Sequence, residues 1–331
     1  MFIGIDHGTN AIRIASITED EDTDSYRFEL PRDNAASMNE FDIIDYIMDS
    51  FDVSKENVKL MAVTYSMGDD INSIENIKNV YSRGVRSIEG AGKKTGGGAK
   101  VFDAIKNSDI PAVVIPGIHT GSNTDQRMNI FSHSTSPEKV GIAYHARCLN
   151  QDGDFIVSDI SSNTVTLGVS NKKIAGAIDA CIFAPGLQHG PLDLQAIRDV
   201  DSGLYSANEA FMNAGVLKRT LYTDFQTLLD AVDKNNPEAV LALDTISLFA
   251  AMEIKSIQVL LSDLKPELAD NIYLAGSVGE VEYVVDKIHY HLGIKPYVLG
   301  RWSAAIGCAE IARDIVSGAT EILGLDVNYK N

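Results

Sequence analysis

Two short segments of the chain place an acid at the end of an apolar run and follow it with small or hydroxyl-bearing residues. The first is Ile3-Gly4-Ile5-Asp6-His7-Gly8-Thr9-Asn10-Ala11-Ile12-Arg13, and the second is Asp159-Ile160-Ser161-Ser162-Asn163-Thr164. In the first, Gly8 lets backbone N–H groups approach an anion closely, Thr9 and Asn10 add side-chain donors, and Arg13 brings a cation back on the returning chain. Asp6 suits a magnesium ion, held directly or through water, because that ion keeps several of its waters. A plain hairpin with a glycine turn is the competing reading, since Asp-x-Gly-Thr is short. In the second segment Asp159 is the acid, and Ser161, Ser162 and Asn163 offer donors to more distant phosphate oxygens; an Asx or Ser/Thr turn between strands explains the same residues. A third segment, Ile272-Tyr273-Leu274-Ala275-Gly276-Ser277-Val278-Gly279, runs from a buried strand into small residues at a helix start. There Gly276 and Ser277 can seat a ring or sugar against the backbone, with free N–H groups near an oxygen.

Other candidates are weaker. Asp69 and Asp70 leave the end of a strand, where an acid can accept a proton from a hydroxyl or orient a water; solvated turn residues are the alternative. His189, in a segment framed by Pro185, Gly186, Gly190 and Pro191, can touch an acyl or phosphoryl group, or can be a simple loop histidine. The glycine-rich stretch Gly90–Gly98 is not a P-loop, because Lys93 is followed by Lys94 rather than Ser or Thr. A flap bringing Lys93 or Lys94 toward a phosphate and a surface loop both fit it. His289 and His291 are two apart and share no helix face, so they make a poor metal pair.

The elements that must position these residues repeat. Strands are expected at residues 2–6, 11–17 and 25–30, and again at 154–159, 164–170 and 172–180, so that Asp6 and Asp159 occupy matching places. Two such meanders predict a duplicated unit whose halves face each other across a cleft. Between and after them the pattern alternates helix and strand: helices at 40–51 and 137–150, strands at 59–65 and 111–115, then a long helix from Asn236 and Pro237, strand 271–274, helix 280–292, strand 296–299 and a last helix 303–317 closed by Gly318. The domain reading is a first lobe of 1–146, joined by the helix 303–317, and a second lobe of 147–302.

Composition bounds the function. At 331 residues the chain is about twice a usual ~150-residue domain, so two cores are expected. Asp and Glu total 46 against 28 Lys and Arg, and the net charge of -18 argues against nucleic acid and anionic lipid as partners. Asp244 and Glu253 interrupt the longest apolar run, and the first residues lack a basic and apolar leader pattern, so a cytoplasmic protein is expected. Three widely spaced cysteines signal neither a disulfide framework nor a metal site.

Together the three segments resemble the nucleotide motifs of the actin-like ATPase superfamily, which groups acetate and sugar kinases, heat-shock ATPases and actin. Asp6-x-Gly8-Thr9 with Arg13 is similar to its first phosphate motif, Asp159 to Thr164 to its second, and Leu274-Ala275-Gly276-Ser277 to its adenosine motif. The small face of the last helix, Ala304, Ala305, Gly307 and Ala309, resembles the helix that such proteins return to the first domain. The resemblance implies an α/β, two-domain ribonuclease H-like fold of duplicated mixed sheets flanked by helices around a central cleft, Mg-ATP binding, and hinge closure. One departure is Ser161, where the family usually has Gly; a left-handed conformation there would cost roughly 1–2 kcal/mol.

A closer resemblance is to the methanogenesis marker protein 12 family. It is carried by Phe2-Ile3-Gly4-Ile5-Asp6-His7-Gly8-Thr9, by Ser87 through Gly98, by Ser136-Pro137-Glu138-Lys139-Val140-Gly141-Ile142-Ala143-Tyr144 and by Ala184 through Leu194. This resemblance implies membership of the ATPase superfamily and a cytoplasm adapted to methanogenesis, and it names no reaction. The leading expectation is an ATP-dependent regulator or activator linked to methanogenesis that binds a protein partner, with a homodimer left open. Asp69 and His189 are the candidate catalytic residues. Two alternatives stay open: a kinase acting on a carboxylate such as acetate or butyrate, with His189 or Arg198 as anion contacts, and a non-catalytic scaffold with a degenerate nucleotide site, to which Ser161 points.

Overall fold

The computed structural model describes residues 1–9, 11–19, 25–87, 96–150, 153–265 and 270–329. Asn10, Lys93 and Lys94 lie outside them. The chain divides into two compact units, the first Met1–Asp152, Lys172–Ile174 and Trp302–Asn331, the second Gly153–Asn171 and Ala175–Arg301.

The first unit opens with β1 (Phe2–His7), which runs apolar without alternation because both of its faces are covered. It pairs antiparallel with β2 (Ala11–Ile17), which pairs with β3 (Tyr26–Pro31). The helices α1 (Arg32–Ser37) and α2 (Glu40–Ser50) follow. Asn39 caps α2 by accepting from the Asp42 N–H at 3.0 Å, and Ile43, Ile44, Ile47 and Met48 bury its inner face. Next come β4 (Leu60–Val63), β5 (Ile74–Asn76), α3 (Gly97–Asn107) and β6 (Ala112–Val114). A small hairpin, β7 (Ile118–His119) and β8 (His133–Thr135), leads to α4 (Pro137–Leu149). β4 lies parallel to β1 and to β6.

The second unit repeats this plan. β9 (Phe155–Ile160), β10 (Thr164–Ser170) and β11 (Lys173–Ile178) form the meander. After the helices α5 (Leu194–Asp201), α6 (Ala207–Met212) and α7 (Phe225–Asp233) comes the 28-residue α8 (Pro237–Leu264). Asn236 caps α8 and Pro237 is its first residue, where a missing N–H costs nothing. Leu243, Ile246, Ala250, Ile254, Ile257 and Leu261 make its buried stripe, and Gly168 lets it lie close on β10: a Cβ there would meet Ile257 at 2.7 Å. β12 (Asn271–Ala275), α9 (Gly276–Gly279), α10 (Glu282–Leu292) and β13 (Tyr297–Gly300) complete the unit, so the helix expected at 280–292 is preceded by a separate short turn of helix.

The chain ends in the first unit with α11 (Ser303–Val316), β14 (Glu321–Ile322) and β15 (Leu325–Asn328). Its small face serves backbone-to-backbone packing. A Cβ on Gly307 would lie 1.8 Å from the Gly141 carbonyl oxygen of α4, and one on Gly4 of β1 would lie 1.9 Å from that of Ala305. β15 pairs parallel with β5, giving the sheet order β14-β15-β5-β6-β4-β1-β2-β3. The second unit's order is β11-β10-β9-β12-β13. Leaving out β5, β14 and β15, the two sheets match strand for strand: third, second and first strand of a meander, then two parallel strands. Both are mixed sheets flanked by helices. No helix among the described residues is long and apolar enough to cross a membrane.

Candidate functional site

Asp6 is the penultimate residue of β1, and Asp159 is the penultimate residue of β9. Each is nearly buried at the end of its strand, just before the turn into the second strand of a meander. Their surroundings differ in one respect. Arg13 stands opposite Asp6 across the β1–β2 ladder and donates through Nη1 to Oδ2 at 3.4 Å, while its Nε reaches Glu29 at 3.2 Å. Val165 stands opposite Asp159. The first acid therefore shares its charge with a guanidinium.

Gly8 closes the first turn without a side chain; a Cβ there would meet the Ala11 carbonyl oxygen at 2.8 Å and Arg13 Nη1 at 3.0 Å. Two residues with no motif of their own brace this hairpin. Thr64, buried just past the end of β4, donates its hydroxyl to the Ile5 carbonyl at 3.1 Å and accepts from the His7 N–H at 3.2 Å, bracketing Asp6 from the next strand. Arg32, at the start of α1, donates from Nη1 to the Gly8 carbonyl at 3.1 Å. Gly97 and Gly98 begin α3 because Arg32 lies against them. A Cβ on Gly97 would sit 2.0 Å from the Arg32 carbonyl oxygen, and one on Gly98 would sit 2.5 Å from its Nη2. The His7 ring is edge-on to Tyr65 at 5.4 Å, and burial, helped by the Arg32 charge, pushes its pKa down to about 3, so it is neutral at physiological pH. At the start of α4, burial alone would raise the Glu138 carboxyl, but Lys139 at 2.7 Å and the Ser136 hydroxyl at 2.5 Å hold it below its usual range.

In the second unit the turn Ser161-Ser162-Asn163 is tightened by the Ser161 N–H on the Asn163 carbonyl at 2.8 Å. Ser161 is not among the residues with positive φ, so the strain anticipated from replacing the family's glycine does not arise. The carbonyls of this turn hold the segment after β11: Leu187 N–H donates to Ser161, and Gln188 and His189 N–H groups donate to Ser162, at 2.9–3.0 Å. Gly186 permits that approach, since a Cβ on it would fall 2.3 Å from the Asn163 Cα. His189 thus neighbours the second hairpin, but its ring is buried and stacked on Phe211 at 5.0 Å.

Gly276, the first residue of α9 directly after β12, has φ of +84°, and a Cβ on it would lie 2.2 Å from Asp159 Oδ1 and 2.4 Å from the Ile160 carbonyl oxygen. Parallel pairing sets Ala275 level with Asp159, so the third motif abuts the second by register. Ser277 follows, half-buried in α9. Asp69 is half-buried in the loop after β4, where its Oδ1 accepts the Arg86 N–H at 3.2 Å. The first unit therefore gathers Asp6, Gly8 and Arg13, and the second gathers Asp159, Ser161, Ser162, Asn163, Gly276 and His189. Arg32 and Thr64 were not readable beforehand: neither belongs to a local pattern, and only tertiary pairing brings them to the hairpin.

The matched meanders, each with a terminal acid, define a protein with the two-domain actin-like ATPase fold. Its solved relatives in shape include a propionate kinase from Francisella tularensis (TM-score 0.63, 11% identity, 94% of this chain and 98% of that one) and the acetate kinase of Porphyromonas gingivalis (TM-score 0.60, 12% identity, 92% and 90%). In sequence the chain belongs to the UPF0285 family: it is 58% identical over 328 residues to the UPF0285 protein of Methanosarcina barkeri, covering 99% of both chains. No protein-family model matches it.

Proposed function

We propose that Mg-ATP is the ligand of both acidic hairpins and that the protein is an ATP-dependent regulator or activator serving methanogenesis, the setting to which its marker-family resemblance and its Methanosarcina relative point. The observation that carries the nucleotide reading is the duplication itself: an acid in the penultimate position of the first strand, a turn of small and hydroxyl residues, and the same strand order, twice.

The residues fit the group. The tight turn at Gly8 leaves no room for a side chain and brings Arg13 Nη1 close to its backbone, a cation for a phosphate oxygen, and Thr9 follows with a hydroxyl donor. Magnesium keeps several of its waters, so one carboxylate in each hairpin is enough to order an ion that arrives with the triphosphate. Asp6, already sharing charge with Arg13, would meet Mg2+ through water; Asp159 is the second metal-ordering acid. Ser161, Ser162 and Asn163 would hold phosphate oxygens, and Gly276 with Ser277 would seat the adenosine. The bound ATP supplies a phosphoryl group to water or to an acceptor. Arg13 would neutralise phosphate charge, while Arg32 and Thr64 keep the first hairpin in shape.

The regulator reading is favoured over a small-molecule kinase by the packing of one of the two candidate catalytic residues. The ring of His189 is packed on Phe211, which favours a packing role for it over that of an acyl contact, while Asp69 gives one carboxylate oxygen to the Arg86 N–H and keeps the other. A carboxylate kinase remains the second reading, supported by the acetate and propionate kinases that share the fold. ATP hydrolysis by the purified protein separates them. Slow basal turnover that a methanogen extract accelerates is expected. Turnover that requires acetate or butyrate and yields an acyl phosphate would establish the kinase, and the lack of any thermal stabilisation by Mg-ATP would leave only a scaffold.

A further inference from the structure

The outer face of α8 carries an apolar stripe that none of the described residues of its own unit covers. Leu241, Leu248, Met252 and Val259 are 65%, 42%, 44% and 71% exposed. At 3.6 residues per turn their spacing of seven, four and seven puts them within a sector of about 40°, in a straight line about 27 Å long. Single exposed apolar residues are ordinary, but four in one line along a helix are not.

The order of the stripe indicates what fits it. The four positions are symmetric about residue 250, so reversing the helix lays Leu241 on Val259 and Leu248 on Met252. A two-fold axis through that level brings the same face together twice, as an isologous interface requires. The flanking positions obey the same symmetry. Reversal sets Thr245 opposite Lys255, Asp244 opposite Ser256, and Glu238 opposite Ser262, so no like charges meet, even though the whole chain carries a net charge of -18. Asp244 is in addition already held by Tyr283 at 2.7 Å and Lys287 at 2.8 Å on α10. A parallel pairing would instead set Lys255 against Lys255 and Asp244 against Asp244.

We propose that α8 is the two-fold interface of a homodimer, packed antiparallel against α8 of a second copy. The stripe supplies the knobs of that packing, and Thr245, Lys255 and Ser256 form its polar margin. The interface lies on the opposite side of α8 from the stripe that packs on β10, so it is independent of the nucleotide reading.

Sedimentation equilibrium of the full chain at micromolar concentration tests it. A dimer is expected for the wild type. Leu248→Glu, which buries two carboxylates at once, should weaken the dimer at least about a hundredfold while leaving the far-ultraviolet spectrum unchanged. A monomeric wild type, or a Leu248→Glu variant that dimerises as before, overturns the proposal. Orientation is read separately in a background with Cys148 and Cys181 replaced by Ser. Leu248→Cys and Met252→Cys chains, mixed and oxidised, should cross-link to each other faster than either does alone, because only the mixed pair comes level. Equal rates for the mixed and single preparations, or capture of a different protein by a monomeric wild type, would refute the antiparallel self-pairing.

Discussion

Replacing Gly276 by Ala perturbs the point where the third motif touches the second acid. The residue sits at φ of +84°, where an L side chain costs about 1–2 kcal/mol. The new Cβ would lie 2.2 Å from Asp159 Oδ1 and 2.4 Å from the Ile160 carbonyl oxygen, against a tolerable limit of 3.0 Å, so the carboxylate must retreat by at least 0.8 Å, the difference of the first and last figures. The second neighbour is backbone of β9 and cannot swing aside, which adds an overpacking cost of roughly 1–3 kcal/mol. Together these predict a loss of about 2–5 kcal/mol, seen as a fall in Tm of the order of 10 °C. Because the displaced group is the acid assigned to the metal, Mg-ATP affinity should fall at least about tenfold in the fraction that remains folded. Gly279→Ala is the control: its Cβ would meet nothing closer than 3.6 Å, and its φ is not positive, so Tm and affinity should stay near wild type. Calorimetric melting and titration on the two variants decide it. Equal behaviour of Gly276→Ala and Gly279→Ala would show that the Asp159–Gly276 contact is not tight and refute the reasoning.

Two further outcomes follow from buried groups. Glu253 of α8 is fully buried and accepts the Ala184 N–H at 3.2 Å; burial pushes its carboxyl well above the usual range. Its folded state therefore binds the proton more tightly than the unfolded state, and stability falls as pH rises above the ordinary carboxylate value of about 4.5. Glu253→Gln should accordingly gain stability relative to wild type at pH 8 and gain little at pH 5, as denaturant midpoints will report; a pH-independent difference would contradict this. Burial is the main cause of the low His7 pKa of about 3 and the Arg32 charge the second, so Arg32→Ala should raise it in a nuclear magnetic resonance titration of the ring while burial still keeps it below the usual 6.5. The same change deletes the bond to the Gly8 carbonyl, and with about 1.5 kcal/mol for such a charge-assisted bond, the Kd for Mg-ATP should rise roughly tenfold. An unmoved His7 titration would contradict a guanidinium charge acting on the His7 ring.

Most of the architecture could be read from the chain because its signals are local. The meander strands, the Asn236–Pro237 cap, the stripe of α8 and the glycine after α11 are each fixed within a few residues, and their ends fall within one or two positions of those expected. What escaped depends on distant partners. β5 has three residues and is a strand because β6 and β15 flank it, the latter some 250 positions along the chain, so it carries no period to read. α3 starts on two glycines, poor helix formers that are required because Arg32 lies against them. The candidate site divides the same way. Asp6, Gly8, Asp159 and Gly276 stand in short motifs, and their neighbours follow from strand register. Arg32 and Thr64 do not, and the packed environment of His189 is set by Phe211, more than twenty residues away. Strain at Ser161 is expected only if the turn needs the left-handed conformation of the family's glycine; the turn has no positive φ there, so serine fits it.

The central claim is tested most directly by isothermal titration of Mg-ATP into the wild type, Asp6→Ala and Asp159→Ala. Binding in the micromolar range, weakened at least about tenfold by either substitution, is predicted for two acids that serve one nucleotide and its ion. The same affinity in all three proteins, or no heat in the wild type, would contradict it.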